Sequence, residues 1–253
     1  MSGALADRRL LLTGAAGGIG FACIERFVDQ GARVGCLDRD VQALGKLADR
    51  FPPSQIVTCD GDVSSSEEVN AAVRYCAEAF GGLDGLINCA GIDLLRSIED
   101  TTDEEWRRVF AVNVDGAMHV CRAGLPYLRA AGGGTIVNVS SAAGLRPLPH
   151  RSAYSASKAA LQMFSKSLAL ETAEFGVRVN VVCPGATDTR LFRSSIETSI
   201  DSKSSYDQVR ARYALARIAY PGEIAAAVLW LTGKESSFVT GVALAVDGGR
   251  TFH

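Results

Sequence analysis

A phenol and an ammonium stand four residues apart in the stretch Ser152-Ala-Tyr-Ser-Ala-Ser-Lys158. On a helix, Tyr154 and Lys158 would share one face, one turn apart. A free phenol has a pKa of about 10 and is a poor base near neutral pH. A neighbouring cation favours the phenolate, which lets tyrosine pass a proton to or from a substrate oxygen. The same pair also occurs on ordinary amphipathic helices, so its meaning depends on what else the chain brings to it.

A second chemical signal lies near the start of the chain. Leu10-Leu-Leu-Thr-Gly-Ala-Ala-Gly-Gly-Ile-Gly20 runs from an apolar strand pattern into a helix expected to begin near Ile19. Gly14, Gly18 and Gly20 allow a tight turn and let backbone approach a pyrophosphate, which the helix N-terminus then attracts. Asp38 closes the next strand pattern, twenty residues beyond Gly18. A carboxylate there can accept both hydrogen bonds of an adenosine ribose and would repel a 2′-phosphate. Gly17, before Gly18, offers no cation to such a phosphate. Arg39 is the one dissenting feature, so NAD is expected over NADP.

These residues need a frame to hold them. Short apolar runs at Leu10–Thr13, Arg33–Leu37, Gln55–Cys59, Gly85–Asn88, Gly134–Val139, Val177–Cys183 and Val242–Val246 read as strands. Amphipathic stretches such as Phe21–Gln30, Glu67–Phe80, Asp103–Arg129 and Tyr154–Phe175 lie between them. The strand runs are continuous rather than alternating, as in a sheet covered on both faces. Repeated β-α units predict an α/β fold: one Rossmann-like, doubly wound parallel sheet of about seven strands with helices on both faces. With no linker composition anywhere, residues 1–253 are expected to form a single domain. From about 190 to 220 the periodicity degrades among serines and charges, which predicts a mobile flap over a site.

Other strand ends carry usable groups. Asp62 and Val63 follow the third strand, where an aspartate can accept from an adenine amino group. Asn88-Cys-Ala-Gly91 closes the fourth with small residues against which a cofactor could lie. Asn113 and Gly116 are poor helix formers inside a helical pattern, so a local break is expected there. Ser140 and Ser141 end the fifth strand, at the edge where open α/β sheets bind ligands. The sixth ends in Cys183-Pro-Gly-Ala-Thr-Asp-Thr189, a proline-glycine turn followed by hydroxyls.

Composition narrows the class. With 47% hydrophobic and 21% charged residues the chain is an ordinary globular protein. Its 26 basic and 28 acidic residues leave a net charge of −2, which predicts no strong attraction to nucleic acid or anionic lipid. The seven cysteines form no Cys-x2-Cys pair and the three histidines are scattered, so reduced thiols and no metal site are expected. The apolar run after Arg9 is too short for a signal peptide or a membrane span, and a cytoplasmic location is expected.

Taken together, Thr13-Gly-x3-Gly-Ile-Gly20, Asp62-Val63, Asn88-Cys-Ala-Gly91, Asn113, Ser141, Tyr154-x3-Lys158 and Pro184-Gly185 resemble the short-chain dehydrogenase/reductase family over almost the whole chain. The resemblance implies reversible hydride transfer between NAD(H) and a secondary alcohol or ketone, here hydrophobic or cyclic. It implies Tyr154 as general acid/base, with Lys158 lowering its pKa and binding the nicotinamide ribose. Ser141, thirteen residues before Tyr154, would hold the substrate oxygen, and Asn113 a relay water. Gly14, Gly18, Ile19, Gly20, Asp38, Arg39, Asp62, Val63, Asn88, Ala90, Gly91, Pro184, Gly185, Thr187 and Thr189 would contact the cofactor. A homotetramer is implied as well. The family's second asparagine of Asn-Asn-Ala-Gly is Cys89 here, and Thr187 stands for a usual Val or Ile. The alternatives are an NADPH-dependent 3-oxoacyl thioester reductase and a non-catalytic dinucleotide sensor. The complete set Asn113, Ser141, Tyr154 and Lys158 argues against the sensor.

Overall fold

The computed structural model describes residues 3–197 and 202–252. Its strands are β1 (Arg9–Thr13), β2 (Arg33–Asp38), β3 (Ile56–Asp60), β4 (Gly85–Asn88), β5 (Gly134–Val139), β6 (Val177–Pro184) and β7 (Ala243–Val246). They form one sheet in the order β3-β2-β1-β4-β5-β6-β7, every pair parallel. Each corresponds to an apolar run in the sequence, with ends that differ by at most one residue.

Those runs are continuous because both faces of the sheet are buried. Successive side chains of a strand point to opposite faces. Leu10 and Leu12 pack with Ile24, Phe27 and Val228 in one core. Leu11, between them, packs with Val69, Val73 and Cys76 in the other. Full burial of each such side chain contributes roughly 1.5–3 kcal/mol, so two cores of this kind hold the sheet firmly.

The helices are α1 (Gly18–Asp29), α2 (Val41–Arg50), α3 (Ser66–Phe80), α4 (Asp103–Phe110), α5 (Gly116–Ala130), α6 (Ser152–Thr172), α7 (Arg190–Glu197), α8 (Ser202–Arg210) and α9 (Pro221–Thr232). Side chains cap several of them: Asp40 accepts from Ala43 N–H at α2, Ser65 from Glu68 N–H at α3, and Thr102 forms a capping box with Glu105 at α4. The helical stretch 103–130 is interrupted, as its Asn113 and Gly116 predict. Residues Ala111–Asp115 form a π-helical turn between α4 and α5, a feature that recurs where a helix must re-aim a side chain.

Two differences from the sequence pattern stand out. α2 has only Leu44 and Leu47 buried, too short an apolar stripe to read beforehand. Within 190–220, α7 and α8 are helical despite their weak periodicity. Residues 198–201 of that expected flap lie outside the described residues. No described helix is long and apolar enough to cross a membrane.

The sheet order places the site. From β1 the chain builds outward to β2 and β3, then returns to β4 on the other side of β1. Loops leaving β1 and β4 therefore diverge, and a crevice opens at the carboxyl ends of the strands.

Candidate active site

A cleft of about 400 Å³ occupies that crevice. Its floor is the turn between β1 and α1. Gly14 has φ +69°, the left-handed region, and a Cβ there would lie 2.7 Å from the Ala90 nitrogen. A Cβ on Gly20 would lie 2.1 Å from the Gly14 carbonyl oxygen. Gly17 caps α1 with no side-chain hydrogen bond, so the first N–H groups of the helix stay open. A bare backbone cradle at a helix N-terminus fits a pyrophosphate.

At one end of the cleft, Asp38 accepts from the backbone N–H of Ala16 at 2.9 Å and of Asp40 at 3.0 Å. Arg39 is exposed on the same wall. Below it, Asp62 accepts from the Ser64 N–H and hydroxyl and from the Arg108 guanidinium at 2.8 Å. Burial opposes the Asp62 charge, but the hydrogen bonds from Ser64 and Arg108 prevail and hold its carboxyl down at about 2. Val63, Ala90 and Gly91 line this cleft too. Asn88 does not: its amide is buried and donates to Asn138 Oδ1 at 2.7 Å, leaving its own Oδ1 unpartnered.

A second cavity of about 340 Å³ adjoins the cleft, and the two share Ile19, Cys89, Gly91, Thr189 and Leu191. Ser141, Tyr154, Lys158, Pro184, Gly185 and Thr187 all line it. Tyr154 and Lys158 lie on α6, Ser141 follows β5, and Pro184, Gly185 and Thr187 come from the end of β6 and the turn after it, so three stretches of chain converge. The two serines after β5 divide their work. Ser140 Oγ donates to the Lys158 carbonyl at 2.8 Å and accepts from Gln162 Nε2 at 3.0 Å. Ser141 Oγ accepts from the Ala143 N–H at 3.1 Å and is hydrogen-bonded to Tyr154.

Asn113 stands behind this wall, fully buried in the π turn. Its Oδ1 accepts from Ile92 N–H at 2.9 Å, and its Nδ2 donates to the Ile92 carbonyl and to Ser157 Oγ, each at 3.0 Å. The asparagine thus clamps the loop after β4 to α6.

The electrostatics differ from what the Tyr154–Lys158 spacing suggests. Burial pushes the Tyr154 phenol up to about 12, against the pull of the Ser141 hydrogen bond; Asp93 pushes the same way as burial. Lys158 is only 4% exposed, and burial pulls its ammonium down to about 8, opposed by Cys89, Cys183 and Asp93. Its Nζ donates to the Val139 carbonyl at 3.1 Å and sits 5.8 Å from the Tyr154 ring centroid. In this structure burial sets the direction of the Tyr154 shift, and the groups that pull the phenol down are Ser141 and Arg151 rather than Lys158.

Leu95, Ala142, Leu191 and Phe192 give the cavity apolar walls, joined by Leu148 and Ile196. Sequence reasoning missed Asp93, which pairs with Arg151 at 2.8 Å, and Arg108, Arg212, Tyr213 and Arg250. These come from loops and helix ends whose spatial company no local pattern reveals. Arg146 donates to the Arg250 carbonyl at 3.0 Å.

Comparison with known proteins adds a consistent picture. A family model described as enoyl-(acyl carrier protein) reductase matches residues 14–251. The 2-(R)-hydroxypropyl-CoM dehydrogenase of Xanthobacter autotrophicus is 36% identical over 251 residues, covering 97% of this chain and 99% of that protein. Glucose 1-dehydrogenase of Gluconobacter oxydans is 36% identical over 252 residues, 98% of this chain and 93% of its own. Among solved structures, a short-chain dehydrogenase/reductase described as glucose/ribitol dehydrogenase, from Brucella melitensis, superposes with a TM-score of 0.92 at 32% identity over the full length of both chains.

Proposed function

The chain belongs to the short-chain dehydrogenase/reductase family, enzymes that act on alcohols with a nicotinamide dinucleotide, and we propose that it interconverts a hydrophobic or cyclic secondary alcohol and its ketone with NAD(H) as partner. The observation that carries this reading is the meeting of Ser141, Tyr154 and Lys158 on one cavity that opens through Cys89 and Gly91 onto the glycine cleft.

When bound, the nicotinamide ring takes up or delivers the hydride at its C4. Tyr154 Oη carries the proton of the carbinol, and the Ser141 hydroxyl donates to the substrate oxygen as its charge grows. Lys158 gives one N–H to Val139 and turns the others to the nicotinamide ribose. Asn113 positions the loop at Ile92 and, its amide being engaged, offers its backbone carbonyl to a relay water. Asp38 receives the adenosine ribose hydroxyls, and the open N–H groups of Gly18, Ile19 and Gly20 receive the pyrophosphate. Asp62 and Val63 frame the adenine, while Ala90 and Gly91 supply backbone beneath the cofactor and Asn88, turned to Asn138, only anchors the strand end before them. Pro184, Gly185, Thr187 and Thr189 hold the carboxamide end.

Residues 1–253 act as one domain in this reading, with the segment 190–220 as a flap over the alcohol. A cytoplasmic homotetramer completes it, supported by side chains such as Leu170 (85% exposed) and Phe238 (104%) on the outer surface. The test is a panel of secondary alcohols with NAD and with NADP, followed by absorbance of the reduced nicotinamide. Dinucleotide binding without oxidation of any alcohol would return the sensor reading. Arg39 favours a second reading, an NADPH-dependent reductase of 3-oxoacyl thioesters. Faster turnover of an acetoacetyl thioester with NADPH than of any alcohol with NAD would decide for it.

A further inference from the structure

Among the described residues, five charged side chains line the substrate cavity: Asp93, Arg151, Lys158, Arg212 and Arg250. Within that set one carboxylate faces four cations. Asp93 is taken by Arg151 at 2.8 Å, which cancels that pair. Lys158 is committed to Val139 and the ribose. Two guanidinium charges remain.

Arg250 is 5% exposed, yet among the described residues no carboxylate pairs with its guanidinium. Its guanidinium donates to three backbone carbonyls, Ala142 at 3.2 Å, Arg146 at 2.8 Å and Pro147 at 3.2 Å. The neighbouring Asp247 carboxylate is spent on the N–H groups of Gly249 and Thr251, each at 3.0 Å. Burial lowers the proton affinity of Arg250, Tyr213 raises it, the charges of Arg146 and Arg212 lower it, and Asp247 raises it. Around Arg250, three guanidinium charges thus stand against the one engaged carboxylate of Asp247.

Arg212 is exposed on the cavity wall; its backbone N–H donates to the Val209 carbonyl at 3.0 Å, and its guanidinium makes no hydrogen bond or ion pair among the described residues. It lines the cavity beside Leu148, Phe192 and Tyr154 and not the glycine cleft. Its backbone is held in place by the next residue. The Tyr213 hydroxyl accepts from the Ala186 N–H at 2.8 Å, and its ring packs where a Cβ on Gly185 would be. Tyr213 also lies within electrostatic reach of Tyr154.

We propose that the alcohol carries an anionic group a few bonds from its carbinol, and that Arg212, supported by the charge of Arg250, binds that group. This deepens the alcohol-dehydrogenase reading and rests on it. A carboxylate, a sulfonate or a phosphate would satisfy the guanidinium, all three offering paired oxygens to its planar fork. The apolar walls of Leu95, Leu148 and Phe192 would hold the carbon skeleton between the two ends.

The experiment compares 3-hydroxybutanoate, 4-hydroxypentanoate, 5-hydroxyhexanoate, 2-hydroxypropanesulfonate and 2-hydroxypropyl phosphate with neutral secondary alcohols of matching length, in the wild type, Arg212→Gln and Arg212→Lys. The anionic arms identify which oxyanion is preferred. The expected result is at least a tenfold higher kcat/KM for the best anion than for its neutral match. That ratio should fall at least tenfold in Arg212→Gln, through KM rather than kcat, and recover in part in Arg212→Lys. A ratio unmoved by Arg212→Gln, or anions never preferred, overturns the proposal. Failure of every alcohol, charged or neutral, would sink the dehydrogenase reading separately. In that case calorimetric titration of 4-oxopentanoate with NADH present decides the anion site. Binding in the wild type that is lost in Arg212→Gln upholds it, and equal or absent binding removes it.

Discussion

Asp38 Oδ2 accepts the backbone N–H of Ala16 at 2.9 Å, which ties the end of β2 to the glycine turn after β1. The second oxygen takes the Asp40 N–H at 3.0 Å, so the carboxylate is fixed in orientation over the cleft. Each oxygen keeps a lone pair for a ribose hydroxyl, while the charge opposes a 2′-phosphate. Hydrogen bonds to a charged group contribute about 1.5–3 kcal/mol, roughly ten- to a hundredfold. Asp38→Ala is accordingly expected to lower the ratio of kcat/KM for NAD to that for NADP by tenfold or more, with Arg39 left to greet the phosphate. Loosening of the turn affects both cofactors and divides out of the ratio. An unchanged ratio would remove Asp38 from the ribose.

Tyr154 gives a prediction with a sign. With its phenol pushed up to about 12 by burial, it is protonated throughout the neutral range. Ketone reduction needs a proton donor, so its kcat/KM should stay flat between about pH 6 and 8. Alcohol oxidation needs an acceptor, and its kcat/KM should climb with pH into the alkaline range. Tyr154→Phe should abolish the climb and cut kcat by about 10²–10⁴ in both directions, the scale of a lost general acid/base. NAD affinity, measured by fluorescence titration, should move little. Oxidation that is independent of pH in the wild type would show that another group carries the proton.

Much of this was legible in the sequence because its causes are local. Leu10 to Leu12 spell a strand buried on both faces, and Gly14 to Gly20 spell a turn that side chains would block. Even the interrupted helix at Asn113 followed from propensity, and the π turn there lets the side chain clamp Ile92. What escaped depends on contacts between distant segments. Asn88 turns to Asn138 inside the sheet, a choice made by a neighbouring strand rather than by its own loop. The elevated phenol of Tyr154 reflects the depth of its surroundings, which a four-residue spacing does not encode. Arg212 sits in a stretch of weak periodicity, and only the folded chain reveals that it faces the same cavity as Tyr154.

Ser140 and Ser141 should separate stability from chemistry. Ser141→Ala removes a hydroxyl placed on the cavity beside Tyr154, and kcat is expected to fall about 10²-fold, as for a lost oxyanion donor. Ser140→Ala removes a buried hydroxyl that donates to the Lys158 carbonyl and accepts from Gln162 Nε2, which keeps its longer 3.3 Å bond to the Ser141 carbonyl. Each such hydrogen bond contributes about 0.5–1.5 kcal/mol, so the melting temperature should drop while kcat falls far less. Thermal melts and initial rates on the two variants check the division. The reverse pattern would exchange their roles.

Lys158 should prove to be a charge the fold tolerates for the sake of the site. Its folded value near 8 lies below the usual 10.5 because burial disfavours the ammonium. Between these values the unfolded chain binds more protons than the folded one, so stability rises with pH across that window. Below pH 8 the ammonium is charged in both states, and the folded protein bears the desolvation cost in full. Lys158→Met removes that cost and keeps the aliphatic volume, at the loss of one hydrogen bond to the Val139 carbonyl. The variant is expected to melt a few degrees higher than the wild type at pH 7, each kcal/mol corresponding to about 2–4 °C in a chain of this size. The difference should shrink by pH 10, while kcat falls steeply at pH 7, where the wild type holds a cation in the site. Melting curves at the two pH values carry the test. A gap between variant and wild type that does not narrow would mean that Lys158 keeps its ordinary proton affinity, solvated, in the folded protein.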